Sequence, residues 1–302
     1  MQRFGNLVSP LYSPTKICFL VSLLLVSSLA KTADVQPEGW FPTEQRIPGG
    51  VALIDISDEY QPGYQVVFRN HPVKVIHQGD ASIAIVGIPL QSQTEVVKLE
   101  IRDLTNITGH LMASIKFNLL EADYPTEHLT ITDNNKVSPN SLSLKRIRQE
   151  SLIINKALRQ WQIAEVDFQQ MQMPVTGRLS SEFGRRRIIN DQPRKPHSGI
   201  DIAAPLGTEV IAPNGGVISA MGDYFFNGNT LFIDHGEGMV SMFCHLDKIL
   251  VKVGDPVSKG QLVANVGSSG RVTGPHLHWS LSLNDARVNP LLFTSGNLSI
   301  RR

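Results

Sequence analysis

From Met173 to Leu283 the chain is written as short apolar segments separated by glycine-bearing turns, and almost none of it has helical period. Segments such as Asn229-Thr230-Leu231-Phe232-Ile233-Asp234 and Met239-Val240-Ser241-Met242-Phe243-Cys244-His245 have strand length and strand composition. Pro-Asn-Gly-Gly, His-Gly-Glu-Gly and Lys-Gly turns divide them, leaving too little chain for crossover helices. The expected architecture is therefore antiparallel β, with one buried face closing on a second sheet or half-barrel. Residues 34–135 are also read as strands, in a β-sandwich-like arrangement, from runs such as Val51–Ile56, Ser82–Ile88 and Val96–Ile101. Between the two lies a change of period. Leu142, Leu144, Ile147, Leu152, Ile153, Leu158 and Trp161 predict a connecting helix within 138–172, capped by Ser138 or Asn140.

The chain has 302 residues, 41% of them hydrophobic, enough for two cores. Its net charge of +1 and the lack of a basic run interleaved with aromatics exclude a nucleic-acid partner. The densest basic stretch, Arg185-Arg186-Arg187, is either a solvated loop or an attractor of an anionic polymer. Residues 1–30 read as a secretory signal: Lys16, an apolar run from Ile17 to Val26, then Ser28-Leu29-Ala30 before the cut, with Ala33 as a second candidate. The run is short for a membrane span, so no stable span is expected after cleavage, and an uncleaved anchor is the alternative. Export leaves Cys244 as the lone thiol, unable to form an internal disulfide.

Pro275-His276-Leu277-His278-Trp279 is the most informative short stretch. Residues i and i+2 of a strand share a face, with Cα atoms about 6.6 Å apart, so both imidazoles would enter one cavity. His197-Ser198-Gly199-Ile200-Asp201 sets a histidine and a carboxylate four apart; a flat strand would hold them about 13 Å apart, so Ser198-Gly199 must bend if they are to share an ion. His245 closes a strand, on the face expected for Ser241 and Phe243, with Cys244 turned to the core. His71, His77, His110 and His128 have no second ligand at metal spacing and are read as surface residues, and His235 as a turn residue.

The series His197-x-x-x-Asp201, His245-Leu246 and Gly274-Pro275-His276-Leu277-His278 resembles the lysostaphin/LytM-type zinc metallopeptidases over about residues 174–293. The resemblance implies that His197, Asp201 and His278 hold one Zn²⁺ per chain and that His245 and His276 are catalytic histidines that do not bind the metal. It also implies hydrolysis of peptide cross-links in peptidoglycan through a metal-bound water, by an exported enzyme of the periplasm or cell envelope. Three protein ligands that leave a fourth position open suit a catalytic zinc, which lowers the pKa of water and polarises a carbonyl. Domain boundaries follow: 1–30 signal, 34–135 a regulatory or positioning β domain, 138–172 linker helix, 173–302 metallopeptidase. The first domain is expected to contact the active-site groove within the chain. D-Ala–diaminopimelate cross-links are the favoured bond. The alternative, a non-catalytic wall-binding activator of an amidase, is disfavoured by the full set of five residues.

The match has departures. Phe243 stands where many relatives carry Tyr, and Trp279-Ser280 stands where they often carry Phe-Glu, which removes a carboxylate beside the last ligand. No upstream tyrosine is evident as an oxyanion donor; Asn190, Arg187 and Tyr224 are the substitutes to consider.

Overall fold

The computed structural model describes residues 40–104, 109–162 and 168–294, so the signal read at 1–30 lies outside the described residues. The fold is mainly β. Strand polarity follows the turns: seven strands pair in one antiparallel path, in the order Pro256–Val257, Gly216–Tyr224, Gly228–Asp234, Val240–Ile249, His276–Leu283, Ile200–Ala203 and Arg178–Ser181. Glu209–Ile211 pairs with Leu262–Val266, which folds back onto Val240–Ile249, and Ala286–Val288 closes a hairpin on His276–Leu283. The last strand but one in sequence is buried along nearly its whole length because it is central: Leu277, Trp279, Leu281 and Leu283 enter the main core, and the alternating His278, Ser280 and Ser282 are buried on the other face.

The N-terminal half packs two sheets. One joins Val51–Asp55, Ala81–Gly87 and Lys74–Gln78; the other joins His71–Pro72, Tyr64–Phe68, Val96–Asp103 and His110–Asn118. Ala52, Ile54, Ala84 and Val86 meet Phe68, Leu99 and Ile101 between the sheets. Their sequence neighbours Val51 and Ile85 point the other way and join the core of the large sheet. The three-stranded sheet is thus buried on both faces, which explains why these strands are nearly continuous apolar runs. Polar ties reinforce the contact. The Asn284 side chain accepts from Gly87 N (2.6 Å) and donates to Gly87 O (3.0 Å), and Lys74, 5% exposed, is paired with Glu237.

The helix spans Ser141–Leu158, with Asn140 as its cap accepting from Ser143 N, while Ser138 ends a preceding single turn, Asn134–Val137. It stops well short of 172 because the chain beyond it is claimed by the Asp234–Met239 turn. Gln162 O accepts from Glu237 N (2.7 Å), and Trp161 lies so close to Gly238 that a Cβ there would sit 3.0 Å from its ring. Its C-terminal end packs through Ala157 and Leu158 against Phe232, Met242 and Cys244, and midway Glu150 accepts from Phe225 N (2.8 Å). None of the described helices is long and apolar enough to cross a membrane.

One pairing departs from the antiparallel expectation. Arg186–Ile189 runs parallel to Thr126–Leu129, a strand that arrives from the N-terminal half. This brings Glu127, Leu129 and Ile131 to the rim of the cleft described next.

Candidate metal and catalytic site

Asp201 and His278 are directly opposite each other on adjacent antiparallel strands, and His276 lies opposite Ala203 two residues along. The parity argument for His276 and His278 therefore holds: both rings face Asp201, at 3.9 Å (His276 Nε2) and 2.7 Å (His278 Nδ1) from Oδ1. His197 enters from the loop before Ile200, with Nε2 3.0 Å from Asp201 Oδ1 and 3.0 Å from His278 Nδ1. Glycine at 199 is required by close approach. A Cβ there would stand 2.5 Å from Trp279 O and 2.8 Å from the His278 ring.

Hydrogen bonds from outside fix the tautomers. His197 Nδ1–H donates to Glu182 O (2.9 Å), so Nε2 carries a lone pair. Ser280 donates to Ser198 O (2.8 Å), so its oxygen accepts from His278 Nε2–H (2.8 Å), and His278 Nδ1 carries a lone pair. Burial outweighs the pull of Asp201 and lowers the His278 pKa to about 4, favouring the neutral ring. For Asp201 burial acts to raise the pKa, but when the facing nitrogens carry protons the bonds and charges of His197 and His278 prevail and hold the carboxyl well below the usual range, so it is ionised. Two imidazole lone pairs and one carboxylate oxygen thus converge with no proton of their own between them. That donor set fits a cation: all three are buried, and their separations of 3.0, 3.0 and 2.7 Å lie somewhat inside the ~3.3 Å spacing of a tetrahedral zinc site. Arg187 takes the other carboxylate oxygen, Oδ2, at 2.7 Å, which leaves Oδ1 for the histidines.

His245 and His276 stand beside this triad with ring centroids 4.8 Å apart. Each donates Nδ1–H to a backbone carbonyl, His245 to Ser269 O and His276 to Gly274 O (2.8 Å in both), and neither Nε2 makes a hydrogen bond among the described residues. Burial, then the neighbouring His276 and His278, depresses the His245 pKa to about 3. The expected side of the strand for His245 is corrected by the structure. Phe243 and Leu246 both enter the main core, and Leu231 and Asn229 pair with them across a register slip. Cys244 and His245 on one strand therefore oppose Thr230 alone on the other, a bulge. His245 sits in it with φ of 65°, a left-handed conformation that a ring residue adopts only under constraint. Cys244 is buried as expected, among Phe232, Met242 and Leu158, and its thiol pKa is pushed up to about 12.

The other expectations sort cleanly. His71, His77, His110 and His128 lie outside the cluster. Asn190 spends its amide on both backbone groups of Ile131, and Tyr224 is buried against Phe232, so neither faces the site. Of the three arginines at 185–187, Arg185 pairs with Glu182, Arg186 with Asp123, and only Arg187 reaches the site. Ser280 was flagged in the sequence by the missing carboxylate, but its use as acceptor for His278 was not legible there.

A buried His-Asp-His centre flanked by two histidines with free Nε2 atoms, on an antiparallel β scaffold, defines a class of metal-dependent hydrolases. Residues 195–290 match the model of peptidase family M23, and residues 44–116 match its N-terminal domain. A crystal structure described as a peptidase M23 from Pseudomonas aeruginosa is 39% identical, with a TM-score of 0.68, covering 83% of this chain and 95% of that one. The chain belongs to peptidase family M23. It is also 40% identical over 125 residues to the peptidoglycan DD-endopeptidase ShyA of Vibrio cholerae, covering 41% of this chain and 29% of that protein. The DD-carboxypeptidase/endopeptidase Mpg of Neisseria meningitidis is 40% identical over 117 residues, 39% of this chain and 27% of that protein. The matched stretch spans under a third of either curated relative.

Proposed function

We propose that the chain is an exported zinc-dependent endopeptidase that hydrolyses peptide cross-links of peptidoglycan. The observation that carries this reading is the convergence of three lone-pair ligands beside two tautomer-fixed histidines. In this reading His197, Asp201 and His278 hold one zinc ion, and His245 and His276 are the catalytic residues. Bound zinc supplies a Lewis acid for the scissile carbonyl and acidifies water. The chain's own groups move the protons. Each free Nε2 of His245 and His276 accepts a proton from water, or, once protonated, donates to the developing oxyanion or the leaving amine. Arg187 keeps Asp201 oriented through Oδ2. The wall substrate is favoured by the names of the relatives from Vibrio and Neisseria, and export by the apolar segment at 17–26, with the protein then located in the envelope.

The proposed division into an N-terminal module at 34–135, a linker and a peptidase at 173–302 gives that module a role at the cleft. Glu127, Leu129 and Ile131 line a cavity of about 130 Å³ together with His245, His276 and Asp201. They either cover the groove or position the wall strand in it. Because Val51 and Ile85 belong to the main core, the comparison is made in the full chain. Leu129→Asp raises activity if the segment covers the groove and lowers it if the segment positions substrate.

The test of the function is digestion of purified sacculi by full-length, zinc-loaded protein, with mass spectrometry of the released fragments. Cleaved cross-links are expected. His245→Ala and His276→Ala should lose at least ~100-fold in rate while keeping zinc. No release by a zinc-loaded, folded protein overturns the reading.

A further inference from the structure

The cleft has a second chamber, about 290 Å³, on the far side of His245 and His278. Three cationic side chains line it, Arg187, Lys195 and Arg271, and no carboxylate does. Arg187 is committed to Asp201 and Glu127. Arg271 differs. It borders both chambers of the cleft, is half-buried, and makes no ion pair among the described residues. Its guanidinium lies over the Phe226 ring, 4.4 Å from the ring centre, a cation–π contact that leaves its charge unpaired by any carboxylate among the described residues. A half-buried cation with like-charged neighbours and no counter-ion is a place where an anion is stabilised; burial, then Arg187 and Arg194, depresses its pKa to about 10.

Its position relative to the reacting groups is set by backbone. Ser269 O accepts from His245 Nδ1, Ser269 Oγ donates to Leu246 O (2.9 Å), and Arg271 N donates to Phe226 O (2.8 Å). Gly228 and Gly270 pack so closely that a Cβ on Gly270 would be 2.5 Å from Gly228 N. Arg271 is therefore two residues from the carbonyl that orients His245, in a clamp with little freedom. Arg271 and His245 line both chambers together, so an anion held by Arg271 lies in the same cleft as the His245 ring.

We infer that Arg271, with Lys195 at the rim, binds a free carboxylate of the substrate next to the cleaved amide, and so selects acidic over amidated peptides. This rests on the peptidase reading, and names a specificity-determining residue within it. A planar guanidinium matches a carboxylate in a two-bond fork, whereas a carboxamide offers one acceptor oxygen and no charge.

The experiment compares two cross-linked muropeptides that differ only in having this carboxylate free or amidated, using full-length, zinc-loaded protein. The wild type is expected to show a kcat/KM ratio of acid to amide of about tenfold or more, as for hydrogen bonds to a charged group. Arg271→Gln brings that ratio close to one, and Arg271→Lys keeps part of it, since charge remains but the fork is lost. A binding arm uses N-acetyl-D-Ala-D-Ala and its C-terminal amide, titrated by NMR. Tighter binding of the acid by wild type but not by Arg271→Gln supports the subsite even if no wall hydrolysis is found, in which case it is the catalytic reading that fails. Equal binding of acid and amide by wild type, or a ratio unchanged in Arg271→Gln, overturns the inference.

Discussion

Replacing Ser280 by alanine tests how the metal site is held from behind. Ser280 is fully buried, accepts from His278 Nε2–H and donates to Ser198 O, both at 2.8 Å. Without the hydroxyl, the His278 tautomer that binds metal through Nδ1 carries a buried N–H with no acceptor. The apo protein has an escape. The proton can move to Nδ1 and donate to Asp201 Oδ1, 2.7 Å away. Metal binding has no such escape, because it needs the Nδ1 lone pair. An unsatisfied buried donor costs about 1–3 kcal/mol, roughly 5- to 150-fold in an equilibrium constant. Losses of ~10- to 100-fold in metal affinity are typical when an outer partner of a ligating histidine is removed, so two independent estimates agree. The assay is zinc titration against a competing chelator, run beside thermal unfolding of the apo form. Ser280→Ala should bind zinc ~10- to 100-fold more weakly while apo stability falls less. Affinity within twofold of wild type refutes the reasoning. So does a loss matched by an equal loss of apo stability, which would point to packing.

Three further outcomes are expected. Gly199→Ala forces a methyl against Trp279 O and the His278 ring, which should lower stability by about 1–3 kcal/mol and weaken zinc binding; an unchanged melting temperature contradicts the close-approach argument. Cys244, with its thiol pKa pushed up to about 12, should resist iodoacetamide at pH 8 in the native protein and react fully in urea, and stoichiometric native labelling would show that the site opens. Burial lowers the His235 pKa to about 4; its Nδ1–H donates to Gly215 O and its Nε2 accepts from Ser241, which in turn receives Trp279 Nε1–H. A depressed histidine pKa means the unfolded chain binds the proton more readily. The stabilisation, about 3 kcal/mol at most, is complete above ~6.5 and is lost as pH falls towards 4. His235→Gln should flatten the melting curve against pH over that window, and an identical slope removes His235 as a contributor.

What the sequence disclosed of the site depended on whether simple strand geometry applied. His276 and His278 could be placed in one cavity because their strand is regular and central, so parity holds along it. The same parity rule put His245 on the face of Phe243 and went astray, because it counts residues and a bulge adds one. The left-handed φ at His245 has no mark in a ring residue; a glycine there would have suggested it. The helix was overextended for a related reason: Trp161 fits the helical period, yet its ring is used against Gly238, where the turn leaves room only because no Cβ is present. Arg187 was legible as a candidate oxyanion donor beside Asn190 and Tyr224, but its bond to Asp201 was not, since nothing in Arg-Arg-Arg says which member meets that carboxylate.

The N-terminal half shows the opposite limit. Val51–Ile56 and Ser82–Ile88 were legible as strands of a sandwich-like domain, but burial on both faces was not part of that reading. A sandwich alone does not supply two buried faces to a three-stranded sheet. The second face is covered by the large sheet, through Val51 and Ile85, with Asn284 bonded to both polar groups of Gly87. Breaking this contact would expose Val51 and Ile85 and strand the buried Lys74 without Glu237, at a cost well beyond that of a surface ion pair. The strand Thr126–Leu129 leaves this half and pairs with Arg186–Ile189, which sets Glu127 opposite Arg187 in the cleft wall. Widening the cleft at that wall requires breaking this short parallel pairing and the Arg187–Glu127 ion pair beside it.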